Sequence, residues 1–413
     1  MSTLAARVDA RLSQLPRTLA LSWPGGRAGP ACADVTLTAH RRRVLALLAR
    51  GSVGGLADAY VRGQVDIDGA LPDVIEVAAA LAGDPVQRGQ SARWRQSLRR
   101  LLRLFRWPPP RRIEQARFHY DLCDEFFALW LDPLRVYSCA WYDSPGCTLA
   151  QAQEAKLDLV CRKLKLASGQ SFLDVGAGWG GLLMWAAEHY GVEATGITVS
   201  RNQHSHVNRL IDEKGLRGRV RMQLMDFREL PAQGQFDRVA SIGMFEHVGR
   251  HRLDDYFGHL LRLVRPGGLV LNHGITAGGL YNTELGAGIG DFIERHIFPG
   301  GELVHVSEVA RCMAHAGLEL VDAENLRPHY ARTLWAWSQA LEARLEQARG
   351  LTSETTVRAY RLYLAFSAMA FERGWLGLYQ LLATRPDGDP STGVLRGAQS
   401  DYPFNRRYML TRP

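Results

Sequence analysis

From residue 169 onward the chain alternates short apolar runs with amphipathic stretches. Ser171–Val175 (SFLDV) reads as a buried strand, and 182–190 carries apolar residues at helical spacing. The pattern then repeats, with strands at 192–199, 219–224 and 237–242 and helices at 203–214 and 251–264. The turn Pro266-Gly267-Gly268 leads into a fifth strand at 269–272. Strands that alternate with helices at this spacing form parallel neighbours joined by helical crossovers, so both faces of the sheet are buried. Two more helices at 329–349 and 354–372 and a last strand at 377–383 follow. The fold class expected is α/β, with a Rossmann-like, mostly parallel sheet.

The first part of the chain reads differently. Apolar segments at 35–37 and 44–48 lie between turns at Gly25-Gly26 and Gly54-Gly55, which suggests a small mixed α/β domain over 1–87. Residues 88–112 hold nine arginines and no acid, with Leu98, Leu101, Leu102, Leu104 and Phe105 at roughly helical spacing. This predicts a basic amphipathic helix, ended by the stiff linker Pro108-Pro109-Pro110. Such a helix suits an anionic membrane surface, and it equally suits an interdomain helix with a solvated face. The main domain is expected over 113–390, opening with an aromatic-rich helical region at 117–165, and 391–413 is read as a tail.

Composition narrows the picture. A chain of 413 residues suggests two or three domains. The net charge of +8 favours an anionic partner, either nucleic acid or a membrane. Six scattered cysteines with no CxxC pair argue against a zinc site or a disulfide framework, and a reducing cytosol is the simplest compartment. Arg7, Asp9, Arg11 and Arg17 leave no signal-peptide pattern, and no run of eighteen apolar residues could span a bilayer. Any lipid would be met from the surface.

The chemistry centres on Asp174-Val175-Gly176-Ala177-Gly178-Trp179-Gly180-Gly181. A strand, a glycine turn and a helix form the geometry in which backbone approaches a ligand closely. Gly176, Gly178 and Gly181 also fit a dinucleotide pattern. Against that stand the mid-chain position, Asp174 before the turn where it could meet an ammonium, and a second strand ending Gly196-Ile197-Thr198-Val199-Ser200 with no acid for a ribose.

Several blocks together resemble the cyclopropane fatty acid synthase family of S-adenosylmethionine-dependent methyltransferases. They are GITVSRNQ with Thr198, Ser200 and Gln203; LMDFREL with Asp226 and Phe227; Tyr137-Ser138-Cys139-Ala140-Trp141-Tyr142; Met244 to Gly249; Asn272 to Thr276; FIERHIFPGGEL at 292–303; and Pro328 to Leu334. The match covers about 110–385, with 60–69 the best piece of the N-terminal region. The chain departs from the family at Ala177, at Phe371-Glu372 and beyond 384.

The resemblance implies a class I methyltransferase domain with a seven-stranded sheet. It implies S-adenosylmethionine held by Tyr137, Ser138, Asp174, Gly176, Gly178, Gly180, Thr198, Ser200, Gln203, Asp226 and Phe227. It also implies a cyclopropane-forming transfer to the cis double bond of a phospholipid acyl chain, with bicarbonate as base, cradled by Cys139, Glu246, His273, backbone at Ile275, and Tyr330. Tyr137, Trp141 and Phe245 would face a cationic intermediate. Read alone, Cys139 is more often an inert buried thiol, whereas Glu246, His247 and His273 follow strand ends, where ligand residues gather. The pair Glu294/His296 has no second pair to complete a metal site.

The expected partner is a phospholipid membrane surface reached from the cytoplasm, not nucleic acid, with a homodimer as the assembly to test. The lipid is expected to enter an apolar channel under the 277–303 insertion. The rival outcomes are a methyl-branched chain and an N-methylated amine.

Overall fold

The computed structural model describes residues 12, 15–84, 86, 123–231, 234–280, 285–298, 301–388 and 402–411. The basic helix and proline linker expected at 88–112 lie outside these residues. By its contacts the chain divides into two units, one from Met1–Pro108, Tyr281–Pro299 and Leu334–Trp375, the other from Pro109–Leu280, Gly300–Thr333 and Leu376–Pro413.

The first unit holds a four-stranded sheet in the order β2-β1-β3-β4. The strands are β1 Leu19–Trp23, β2 Gly26–Ala28, β3 Val35–Ala39 and β4 Val65–Gly69. In β3 the burial alternates strictly, as a strand with one face on a core requires. Gly54-Gly55 is not a turn. It lies inside the helix Val53–Val61, where a Cβ on Gly54 would sit 1.8 Å from the carbonyl oxygen of Gly288. The Gly54 N–H donates to Ala287 at 2.9 Å, so the glycine is there for close backbone approach. Two ion clusters tie the discontinuous segments of this unit together. Asp58 accepts from His296 at 2.9 Å and pairs with Arg295 at 3.0 Å. Arg361 grips Glu342 through two bonds at 2.5 and 2.7 Å and donates to the Tyr60 hydroxyl.

The second unit holds a seven-stranded sheet in the order β10-β11-β9-β8-β5-β6-β7. Its strands are β5 Ser171–Val175, β6 Glu193–Thr198, β7 Val220–Leu224, β8 Phe236–Ile242, β9 Val264–Ala277, β10 Glu319–Asn325 and β11 Leu376–Thr384. From β7 to β9 every pairing is parallel, while β11 runs antiparallel between β9 and β10. Alternate residues of β5, β9 and β11 feed two apolar cores. Phe172, Leu269, Leu271 and Leu382 join one, and Leu173, Val175, Val270 and Leu381 the other. Because β6 and β8 flank β5 on opposite sides, winding reverses at β5, and the crevice beyond its carboxyl end is where open sheets bind ligands.

Four features go beyond the sequence pattern. β9 is fourteen residues long rather than four. The helix Val306–His315 and strand β10 were not anticipated; β10 (ELVDAEN) is a sheet edge without an apolar run. Residues 402–411 pack on the sheet unit, with Met409 buried in its core.

Candidate active site

The glycine turn after β5 opens onto a cavity of about 490 Å³ within the second unit, a size typical of cofactor sites. Its lining includes Tyr137, Ser138, Asp174, Gly176, Gly178, Thr198, Gln203, Asp226 and Phe227. Gly178 has φ +56°, and a Cβ there would meet nothing within 4 Å, so the space in front of it is open for a ligand. A Cβ on Gly176 would instead strike Met244 Sδ at 2.4 Å; this glycine admits the cavity wall, not the ligand.

Gly180 and Ser200 stand behind the lining. Gly180, left-handed at φ +83°, starts the helix Gly181–Tyr190. Ser200 Oγ accepts the Gln203 N–H at 3.4 Å and caps Arg201–Glu213. Thr198 Oγ1 meets Gln203 Oε1 at 2.8 Å. The Asp226 carboxylate is gripped by Arg228 at 2.7 and 2.9 Å.

One helix, Leu149–Lys163, shapes the rest. It starts with a capping box on Thr148 and Gln151. Residues 153, 156 and 163 lie on its inner side, and all three polar side chains are buried. Gln153 Nε2 donates to the carbonyls of Val136 and Ser138 at 3.2 and 2.9 Å, fixing the Tyr137–Cys139 backbone. Lys156 Nζ donates to Ser138 Oγ at 2.8 Å. Burial pushes Lys156 down to about 8, with Cys139, Asp132 and Asp174 acting the other way. Burial raises Asp174 to about 7 against the pull of Lys156. A carboxyl beside the turn is thus poised for a cationic group, and the cavity fits S-adenosylmethionine in size, backbone access and charge.

None of Cys139, Glu246, His273, Ile275 and Tyr330 lines this cavity. They gather instead along β9 and β11. The Ile275 N–H donates to Glu246 Oε1 at 2.7 Å. Ile275 faces Leu378 across the ladder, and the Leu378 carbonyl accepts from Leu326 at 2.8 Å. The Leu326 carbonyl in turn takes the Tyr330 N–H at 3.0 Å and lies 3.9 Å from Cys139 Sγ. Ala140 N–H to Thr333 Oγ1 at 3.1 Å and Tyr142 N–H to His329 Nδ1 at 3.0 Å lock the same loop to the start of helix Arg327–Glu342. His273, two residues before Ile275, places Nδ1 3.2 Å from Gln380 Nε2.

Two polar atoms in this group have no protein partner among the described residues: Glu246 Oε2 and His273 Nε2. Burial raises the Glu246 carboxyl to about 7 despite the Ile275 N–H. Burial also pushes the Cys139 thiol up and His247 down to about 4. Cys139 is therefore a thiol, not a thiolate nucleophile. Trp141 Nε1 bonds Glu324 at 3.3 Å, Phe245 is buried, and Tyr137 faces the cofactor cavity within an aromatic group that includes Phe127, 5.5 Å away. His296, half of the Glu294/His296 pair, bonds Asp58 in the first unit.

Lys156, Lys163 and Gln380 were missed in the sequence. Charged helix residues ordinarily read as solvated, but a lone Gln inside the apolar run LGLYQLLA was a usable signal.

A reversing, mostly parallel seven-stranded sheet with a glycine turn over a cofactor cavity defines the class I S-adenosylmethionine-dependent methyltransferases, and this protein is one. The family model for mycolic acid cyclopropane synthetase matches residues 109–381, and the chain belongs to that family. It is 41% identical over 388 residues to a probable fatty acid methyltransferase of Pseudomonas putida, spanning 91% of this chain and 93% of the relative. It is 40% identical over 273 residues to cyclopropane mycolic acid synthase 1 of Mycobacterium tuberculosis (strain H37Rv), spanning 63% of this chain and 93% of the relative. The crystal structure of mycolic acid cyclopropane synthase CmaA1 complexed with SAH and CTAB superposes with a TM-score of 0.63 at 37% identity, covering 67% of this chain and 99% of that one.

Proposed function

We propose that this methyltransferase forms a cyclopropane ring on the cis double bond of an unsaturated phospholipid acyl chain at a membrane surface, with bicarbonate as the base. The observation that carries the reading is the buried pair of unpartnered polar atoms, Glu246 Oε2 just after β8 and His273 Nε2 within β9 of a methyltransferase sheet. S-adenosylmethionine, when bound, supplies an electrophilic methyl group. Asp174, the Gly178 backbone, Thr198 and Gln203 would hold and orient it. The aromatic faces of Tyr137 and Trp179 stabilise positive charge without attacking it.

An alkene that accepts a methyl group becomes a cation, so the surrounding side chains must be poor nucleophiles. The protonated Cys139 thiol meets that need. Ring closure also requires a base. Glu246, with its pKa near 7, can carry a proton on Oε2 and donate to a small anion, and a neutral His273 can donate beside it. Bicarbonate, when bound there, supplies the base that these side chains do not.

The test is mass spectrometry of acyl chains after incubation of the purified protein with S-adenosylmethionine and vesicles of a monounsaturated phospholipid. A gain of one CH2 with loss of the alkene is expected. A gain of CH2 with the alkene retained would make the product a methyl-branched chain. No lipid product, with cofactor binding intact, would move the substrate to an amine. Turnover is also expected to fall in CO2-depleted buffer and to recover on adding bicarbonate.

A further inference from the structure

Lys163 and Gln380 are buried polar side chains that the chemistry above leaves without a role. Lys163 Nζ donates to Gln380 Oε1 at 2.8 Å and is paired with Glu324, with an Asp322 carboxylate oxygen 3.9 Å away. An ammonium has three donors and no acceptor, so the amide atom facing it has to be the oxygen. The amide orientation is thereby set, and its NH2 faces His273 Nδ1 at 3.2 Å. Gln380 and His273 are direct partners in the β11–β9 ladder, which holds the two side chains on one face. An NH2 can only donate, so Nδ1 must accept and carries no hydrogen. Burial, with Lys156 and Lys163 nearby, holds His273 well below the usual histidine range, so the ring is neutral. Its single hydrogen then belongs on Nε2, the buried atom that has no protein partner among the described residues.

We propose that Lys163 and Gln380 are positioning residues: Lys163 orients the Gln380 amide, and Gln380 locks His273 as the Nε2–H tautomer, so that the imidazole presents a donor to a buried small anion. Without this relay either nitrogen could hold the hydrogen, and an Nε2 lone pair would repel an anion. The identity of the anion rests on the function proposed above; the tautomer does not.

The experiment is a long-range 1H–15N correlation spectrum of the full chain labelled with 15N-histidine, with His273 assigned by its loss in His273→Gln. A protonated Nε2 and a bare Nδ1 are expected in the wild type. Gln380→Glu sets an acceptor opposite Nδ1; it is expected to draw a hydrogen onto Nδ1 and to lower turnover by about a hundredfold, the scale of one misplaced anion donor. Lys163→Arg keeps a donor to the amide and should keep the wild-type tautomer, whereas Lys163→Met frees the amide and should give a mixture.

A wild-type hydrogen on Nδ1, or Gln380→Glu with Nδ1 still bare, overturns the relay. An unchanged tautomer in Lys163→Met overturns the part given to Lys163. If Gln380→Glu does not fold, the wild-type spectrum still decides. The spectrum needs no substrate, so absence of ring formation with the expected tautomer counts against the proposed function alone. Ring formation with the opposite tautomer counts against the relay alone.

Discussion

Among single residues, the proposed chemistry rests most on Glu246. Its carboxyl is held on one side by the Ile275 N–H and left open on the other. Because it does not line the cofactor cavity, Glu246→Gln should cut turnover by about a hundredfold or more while cofactor affinity by calorimetry stays nearly unchanged. Equal loss of both would make it a cofactor or folding residue. The same substitution has a stability signature. The folded carboxyl titrates at about 7 against an ordinary 4.5, so its stabilising contribution is complete below the ordinary value and lost as pH rises through 7. In melts across this range the variant should gain on the wild type with rising pH, by roughly 3 kcal/mol at the top. Gly178→Ala tests the turn. A left-handed alanine facing open space should cost about 1 kcal/mol of folding stability and weaken cofactor binding more than tenfold.

Among the elements, the strand–helix alternation from β5 to β9 was legible because the central strands of a parallel sheet are buried on both faces and carry short apolar stretches, as in SFLDV of β5 and LVL of β9. β10 was not, since an edge strand needs no such run. Gly54 was misread as a turn because a glycine pair is the same signal whether it bends the chain or admits a neighbouring backbone. Gly54→Ala should lower the melting temperature markedly, since the added carbon would lie 1.8 Å from Gly288 O and overpacking costs about 1–3 kcal/mol. The cofactor motif was legible as a local pattern, although Ser200 and Gly180 shape the wall from behind it. Glu246 and His273 were legible singly as residues after apolar strands, but their grouping with Cys139 was legible only through the blocks that resemble the family, because the members meet through β9, β11 and Leu326, far apart in sequence. Lys163 belongs to the same case, its partner lying 217 residues away, whereas Gln380 leaves a local trace as a lone amide in an apolar run.

For the molecule as a whole, no helix among the described residues is long and apolar enough to cross a membrane, and the chain carries a net charge of +8. On the function proposed above, charge attraction to an anionic membrane surface brings the enzyme to its substrate, and salt screens that attraction over about 10 Å at 0.1 M. Co-sedimentation with anionic vesicles should therefore fall steeply as salt is raised, and zwitterionic vesicles should capture little protein. Equal binding to both, insensitive to salt, would remove charge as the anchor.

The placing of β11 between β9 and β10 also bears on the order in which the molecule can be made. On the ribosome, β9 and β10 emerge long before the strand that joins them, and each waits with an open edge. Gln380 arrives with that strand, so His273 gains its neighbour only after nearly all of the sheet has been synthesised. The nascent chain thus carries its cofactor turn early and the Gln380–His273 pair late, and no truncated product ending before β11 can hold both.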